Sequence, residues 1–587
     1  MKVRVRKAAR FVILLALLIL LFGFYGCGKG ITTENYDIVI YGGSFAGCAA
    51  ARIAASVAPD SSILVIVPGP VPVLGGIGTA AGQNFFDLRR WQGQLVAAGS
   101  FAHWHSRFGQ FYNTGEVAAS LRSELERHRN VSILWAHDIE GIQVEPGRSK
   151  KVEPNRSAPV RIVSVETREI LRGRDGETQW GEERRLVKGK VFVDASEDGR
   201  LTRLAGVNVT TGRYDWPFEF VEAGEQGKKG LSRQQAATLM FKVTGVTLPS
   251  ASCKIGDLIF SRDDRGGWGV AGGKNTFSTN PAVVAFNDLY GPRGYAVKPL
   301  NAARNGAGST EWWVNALLVF NVDGRACGRD ENTLCYPPDK REDYLDVDKA
   351  LAEAKKFLEN PDFLRALRQF SVTGEKGKRY GFHDVELVRD SAGKPVTGEA
   401  LYLRETIHLV NDDPGRVSPK PGEVFQRLPG YALTDDECQG AGKNPQNGTD
   451  QDNYSTRIGL AYYAMDINAF SFRDLKQNGD YQWPVTGQLR PDWRAGGGEP
   501  RNPVYLPYGM LITPEAVNLL VPGYATGASS LAWTEVRVIP NLCVLGDAAG
   551  AAAARSVLYD EYPACFGGEQ IRWIQEALVR HGARLDK

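Results

Sequence analysis

A chain of 587 residues is too long for one hydrophobic core and divides into two or three domains. With 43% hydrophobic and 23% charged side chains it has an ordinary globular balance, which excludes a disordered or coiled-coil architecture. The formal charge of +3 sits at the start, where Lys2, Arg4, Arg6, Lys7 and Arg10 precede Cys27 with no acid among them; the remainder is slightly acidic, and no nucleic-acid partner is expected.

The basic segment runs into FVILLALLILLFGF (residues 11–24) and then Tyr25-Gly26-Cys27. This is the pattern of an export signal, and it falls short of the ~20 residues that span a bilayer comfortably. Gly26-Cys27 resembles the end of a bacterial lipoprotein signal, with a lipid on the cysteine. Three readings of residues 1–27 stand side by side: a lipid-anchored start at Cys27, an uncleaved apolar anchor, and simple secretion. The first two imply an exported chain held at the cell envelope.

YDIVIYGGSFAGCAAA (residues 36–51) follows. The apolar run from Ile38 to Tyr41 predicts a buried parallel strand, the Gly42-Gly43-Ser44-Phe45-Ala46-Gly47 stretch a tight turn, and the alanines a helix. A strand, glycine turn and helix in that order aim backbone N–H groups at a pyrophosphate. Ser44 stands where the second glycine of the G-x-G-x-x-G pattern belongs, and Ser adopts positive φ less readily than Gly. Residues 62–67 (SILVIV) predict the second parallel strand. It ends at Val67 rather than at the Asp or Glu that usually meets the adenosine ribose. A second glycine-rich loop, LGGIGTAAG (residues 74–82), brings Gly75 and Gly76 to a place where backbone can approach a planar ring.

Residues 114–128 have helical periodicity, with Val117, Leu121 and Leu125 on one face. From 131 to 195 the pattern turns to strands, read as VSILWAHDIEGIQV, VRIVSVETREI and RRLVKGKVFVDA, an antiparallel meander that ends at Asp194. Residues 214–502 differ in character: rich in Trp, Gly and polar loops, with helices predicted near 346–358 and after Asn360-Pro361. We read them as an inserted substrate or cap domain of irregular β structure. It separates a first nucleotide-binding part (35–213) from a second (503–587). Near the end, NLLVPG (518–523) and NLCVLGDAAG (541–550) each read as a strand entering a glycine turn, the second leading into a helix of small residues from about Ala548.

Together these stretches resemble the FAD-dependent oxidoreductase family within the glutathione-reductase-type flavoproteins. The likeness rests on YDIVIYGGSFAGCAAA, VLGGIGTAAG, KVFVDASEDGRLTRLAGV and LPYGMLITPEAVNLLVPGY…VRVIPNLCVLGDAAGAAAA, in that order, and more faintly on LYLRETIHLV and YYAMDIN. It implies an α/β fold: a Rossmann-like FAD-binding domain with an antiparallel β-meander and an inserted α+β cap. It also implies FAD as cofactor. Gly42, Gly43, Ser44, Ala46 and Gly47 would lie at the pyrophosphate, Gly75, Gly76 and Asp194 beside the cofactor, and Gly546, Asp547 and Ala548 at its ribityl or pyrophosphate portion. The chain departs from relatives at Asn468, where they often carry His, and at Tyr524, where they often carry Arg.

Other features point away from other chemistries. There is no CxxC pair, no metal-ligand spacing, no second dinucleotide motif and no G-x-S-x-G elbow. Direct oxidation or reduction of a small molecule is expected, with a quinone, oxygen or redox protein as second partner. Arg404 and Arg537 are the expected cationic contacts of the substrate, since arginine holds a carboxylate with two parallel hydrogen bonds; Asp466 and, more weakly, Tyr508 are candidates for proton transfer. Cys327 and Cys335 are open to a disulfide in an oxidising compartment. Two alternatives from other classes stay open: a non-catalytic ligand-binding protein on a decayed flavoprotein fold, and a lyase or hydrolase on the same scaffold.

Overall fold

The computed structural model describes residues 31–147, 159–173, 176–216, 224–225, 228, 231–409, 455–477, 479–483 and 499–587. The expected export segment with Cys27, and most of the polar loops at 444–455 and 487–503, lie outside the described residues.

The first sheet is built from β1 (Thr32–Tyr41), β2 (Ile63–Val67), β3 (Val131–Trp135), β4 (His137–Pro146), β5 (Val160–Arg172) and β6 (Thr178–Asp194), in the order β3-β2-β1-β6-β5-β4. The first four of these run parallel, and β6, β5 and β4 form the antiparallel meander. Side chains of β1 alternate between two apolar layers, as the two-residue period of a strand requires. Ile38 and Ile40 join the helical side of the core, whereas Val39 and Tyr41 pack with Ile139, Ile162 and Val165 of the meander.

The expected strand 131–144 is two strands. The chain breaks at Ala136, which adopts φ +50°, so β3 finishes the parallel sheet and β4 starts the meander. No glycine or proline marks the break. The middle of the chain is more regular than its composition suggests. It carries an eight-stranded antiparallel sheet whose main order is β8-β9-β10-β11-β12-β7, from β7 (Ala237–Thr244), β8 (Cys253–Ile255), β9 (Leu258–Arg262), β10 (Trp268–Gly272), β11 (Leu300–Arg304) and β12 (Trp312–Val319), completed by Glu386–Leu387 and Tyr295–Val297.

The helices include α1 (Phe45–Val57), α2 (Ser100–Phe108), α3 (Thr114–Glu126), α4 (Val347–Phe357), α5 (Pro361–Leu367), α6 (Ser530–Val536), α7 (Ile539–Tyr559) and α8 (Gly568–Arg580). Those predicted near 114, 346 and 361 start where capping predicts. Asn113, Asp346 and Asn360 each accept backbone N–H groups of the first turn.

The reading of residues 541–550 as strand and turn is corrected. They lie inside the 21-residue helix α7, which begins at Ile539 with a proline in its first turn and not near Ala548. The strand that runs into the nucleotide fold is the other candidate. Leu519–Leu520 pairs parallel with β6, Leu519 opposite Phe192, and Gly523 then donates its N–H to the Asp194 carbonyl at 3.1 Å. Gly546 and Gly550 have a packing role. A Cβ on Gly546 would lie 2.3 Å from the Ala46 carbonyl oxygen, and one on Gly550 2.3 Å from that of Ala50, so α7 and α1 touch backbone to backbone. Glycine inside a helix is otherwise unfavourable by about 1 kcal/mol relative to alanine. Gly550→Val should therefore lower stability by at least about 2 kcal/mol through overpacking. Thermal denaturation checks this against Ala552→Val, on the same helix, as a second measure of tolerance to bulk.

Candidate functional site

A cavity of about 240 Å³ opens at the ends of the parallel strands. On one side it is walled by Gly42, Gly43 and Ser44, at the turn between β1 and α1. Gly42 has φ +107°, and a Cβ there would stand 2.7 Å from the Ala195 carbonyl and the Ser196 nitrogen. Gly47 is needed for a different contact, since its Cβ would sit 1.9 Å from the Gly42 carbonyl oxygen. Ser44 needs no positive φ: at φ −66°, ψ 175° it is the N-cap of α1. Its hydroxyl accepts from the Gly47 N–H at 3.3 Å and donates to the Ala195 carbonyl at 2.8 Å. The serine thus fastens the turn to the end of β6. The amino-terminal end of α1, lined by small residues, is the cradle that a pyrophosphate fits. The absent glycine does not spoil that fit.

The loop after β2 completes this wall. Gly75 and Gly76 take φ +105° and +52°, and Gly75 donates its N–H to the Gly43 carbonyl at 2.7 Å. Gly76 lines the cavity; Gly75 lies behind it, bridged to Ser44. Gly78 of the same loop packs on the start of α7, with a Cβ there reaching within 2.9 Å of Ile539 Cδ1. The start of α7 therefore packs against this loop through Ile539.

Asp194 does not face the cavity. Its carboxylate accepts from the Ser196 hydroxyl at 2.6 Å and the Thr202 hydroxyl at 2.7 Å, and so shapes the loop after β6. That loop presents Glu197 and Asp198 instead, two residues the sequence reading passed over. Glu197 accepts the Ile77 N–H at 3.1 Å. Burial pushes its carboxyl up to about 7, the Ile77 hydrogen bond opposes this, and the neighbouring Asp198 adds to it. Ala46 and Gly546 lie at the α1–α7 contact, and Asp547 and Ala548, on α7, likewise do not line the cavity. Asp547 accepts the Ser100 N–H at 2.8 Å and the Ser100 hydroxyl, which ties α7 to the start of α2.

A second group of polar side chains is buried beyond Leu401 and Leu403, which line the cavity. Arg537 caps the end of α6 and is 2% exposed. It donates to the Tyr402 hydroxyl at 2.7 Å, the Asp466 carbonyl at 3.0 Å and the Asp466 carboxylate at 2.9 Å. Arg404, equally buried, lays its guanidinium over the Tyr402 ring at 4.7 Å from the centroid. The structure thus brings Arg404, Arg537 and Asp466 together around one tyrosine. Among the described residues Arg404 donates to neutral oxygens, the Ala236 carbonyl at 2.8 Å and Asn315 Oδ1 at 3.3 Å. Burial, with the charge of Arg537 adding, draws its pKa down to about 10 despite nearby Tyr402. For Arg537 burial also works against the charge, but Tyr402 and Asp466 outweigh it and the pKa is raised.

Two further groups join this cluster. Lys298, 5% exposed, is pulled down to about 7 by burial and then by the charges of Arg404 and Arg537. Asp87 is pushed up to about 6 by burial, against the pull of Arg537; Tyr463 donates to it at 3.2 Å. A lone lysine in the apolar stretch YAVKPL was the available signal for Lys298. Tyr508 lies elsewhere, donating to the Pro563 carbonyl at 3.0 Å and stacked on Phe566. Cys327 and Cys335 are both buried free thiols.

The Glu197 shift gives a pH dependence. Between its ordinary value of 4.5 and about 7 the folded chain keeps a proton that the unfolded chain loses. Stability from this group therefore falls as pH rises through that window. Glu197→Gln should flatten this part of the curve and raise the melting temperature relative to wild type at pH 8. Parallel pH–Tm curves for the two proteins would contradict the assignment.

Comparison with known proteins follows the same lines. The family model described as FAD dependent oxidoreductase matches residues 37–572. A search of curated proteins found no match. Among solved structures the chain is similar to a geranylgeranyl bacteriochlorophyll reductase-like protein from Thermoplasma acidophilum (11% identity, 94% of this chain and 85% of that one, TM-score 0.32). It is also similar to p-nitrophenol 4-monooxygenase from Pseudomonas putida (13% identity, 49% and 57%, TM-score 0.22). Scores this low carry no argument about substrate. The family match spans nearly the whole chain: the chain belongs to the FAD-dependent oxidoreductase family, and FAD is its cofactor.

Proposed function

We propose that this FAD-dependent oxidoreductase acts on a small organic anion, a carboxylate or enolate, held by Arg404 and Arg537. The observation that carries the reading is the charge of the buried cluster. Arg404, Arg537 and Lys298 gather with Asp466 and Asp87, and among the described residues the Arg404 guanidinium hydrogen-bonds to neutral oxygens rather than to a carboxylate. A buried guanidinium without an anion is costly to keep charged, so an arriving anion gains what the fold alone does not supply. When bound, FAD supplies the hydride or electron transfer.

The residues have separable roles in this reading. Arg404, over the Tyr402 ring, and Arg537, at the Tyr402 hydroxyl, orient the anion. Tyr402, fixed by the Arg537 hydrogen bond, sets the spacing between them. Asp466 holds Arg537 in place, and Lys298 and Asp87, with pKa values of about 7 and about 6, are the groups able to exchange a proton near neutrality. The electron partner is a quinone, oxygen or a redox protein, because the chain has no second dinucleotide motif.

We also propose that the protein is exported and tethered to a membrane by its N-terminus. Support comes from the basic start, the apolar run 11–24 and Gly26-Cys27. Ile539–Tyr559 is long and apolar enough to cross a membrane, but 83% of its apolar window is buried within the fold, where it serves as the core helix α7. A single acyl chain binds a bilayer only marginally, so stable tethering at Cys27 requires more than one. Mass spectrometry of the native N-terminus should find a lipid-modified Cys27; an intact Met1 segment would show an apolar anchor instead.

For the substrate site, Arg404→Met and Arg537→Met should leave FAD content unchanged and slow flavin bleaching by an anionic substrate at least about tenfold, the loss expected for a charge-assisted hydrogen bond. Stopped-flow absorbance measures this. Wild-type rate and affinity in both variants would sink the proposed site.

A further inference from the structure

The cavity does not stop at the phosphate cradle. It continues past the end of β2 along Val67, Gly69 and Val71, where a dinucleotide fold places the adenosine ribose. There β2 offers no carboxylate: Val67 is 3% exposed and is followed by Pro68 and Gly69. Ribose hydroxyls buried without a strong acceptor would bind poorly.

The facing wall carries what β2 lacks, and it comes from the inserted part of the chain. Asp348, in the first turn of α4 and 8% exposed, lines the cavity together with Thr178 and Arg329. The three form one hydrogen-bonded row. Arg329 donates to the Thr178 hydroxyl at 2.7 Å, and that hydroxyl donates to Asp348 Oδ2 at 2.6 Å. Arg329 is in turn held by Asp138, just after the break between β3 and β4. The row thus lines the same cavity as Val67, Gly69 and Val71, beyond the end of β2. Arg329, Thr178 and Asp138 all have partners within the row, and the Asp348 carboxylate, which accepts from the Thr178 hydroxyl and the Gly328 backbone N–H, keeps lone pairs beyond these two for a further donor. Val347 and Leu351, on the same helix, add apolar wall beside it.

We infer that Asp348 is the residue that accepts hydrogen bonds from the adenosine ribose of FAD, in place of the acid missing from the end of β2, with Thr178 and Arg329 as positioning residues. The inference rests on FAD being the cofactor and not on the substrate reading. Cofactor binding then draws α4 of the inserted domain onto the nucleotide fold through the adenosine half.

The test compares FAD with FMN, which lacks the adenosine half. Flavin-free protein is titrated with each, following quenching of flavin fluorescence, for wild type, Asp348→Asn and Asp348→Ala. Asn keeps an acceptor for Thr178 and preserves the local row, so it serves if the alanine variant misfolds. The inference expects FAD affinity to fall about tenfold or more, as for loss of a hydrogen bond to a charged group, with FMN affinity unchanged within about twofold. Unchanged FAD affinity would overturn it. So would equal weakening of FAD and FMN, which would make Asp348 a general support of the cavity.

Discussion

Two helices from opposite ends of the chain meet with their backbones in contact, and the remaining geometry depends on that meeting. Ala46 and Ala50 of α1 leave room for Gly546 and Gly550 of α7, and a single methyl group at either glycine would collide with a carbonyl. Close approach of this kind gains dispersion over a long interface and fixes the register of the two helices. Because α1 starts at the phosphate turn and α7 starts at Ile539, the same contact sets the loop at Gly76–Gly78 against the start of α7. It also carries Arg537, just ahead of α7, to the edge of the cavity region. The cofactor cradle and the basic cluster are consequences of one packing event.

Charge is distributed with the same economy. Near the phosphate turn the carboxylates are Glu197 and Asp198, both raised in pKa by burial, Glu197 to about 7, so Glu197 does not add a full negative charge beside an anionic cofactor at neutral pH. In the deeper cluster the balance is reversed, with Arg404, Arg537 and Lys298 set against Asp466 and Asp87, and the hydrogen bonds of Arg404 among the described residues going to neutral oxygens. The helix end at the turn favours a negatively charged phosphate, and the guanidinium groups of the deeper cluster are where the proposed anionic substrate would be held. Farther out, Arg200 holds Asp330 and lies 3.3 Å from Asp138, and the Tyr41 hydroxyl donates to Asp138 at 2.6 Å. These buried pairs clamp the loop around residue 330 to the end of β1, leaving the cavity wall rigid on that side.

Much of the nucleotide fold was legible because its signals are local. The apolar run to Tyr41, the glycine turn and the capped helices at Asn113, Asp346 and Asn360 each depend on a few adjacent residues. Residues 541–550 were misread because VLG followed by small residues suits a buried strand and turn as well as a tightly packed helix. Pro540 in the first turn was the discriminating clue. The break at Ala136 left no trace, since it is imposed by the meander folding over the sheet. The antiparallel sheet of the inserted part was obscured because its strands are short and pair across long separations, as Glu386 does with Thr244. The basic cluster was visible through Arg404, Arg537 and Asp466; Lys298, Asp87 and Tyr402 come from separate segments that only the fold unites.

The account turns on the basic cluster bordering the flavin, with the phosphates on the α1 turn. A crystal structure of the FAD-loaded protein tests this most directly. The account predicts the pyrophosphate at Gly43 and Ser44, the ring against the loop at Gly76–Gly78, and Tyr402 with its two arginines facing the ring's open side. A ring bound away from that loop, or one separated from Tyr402 by other side chains, would contradict it.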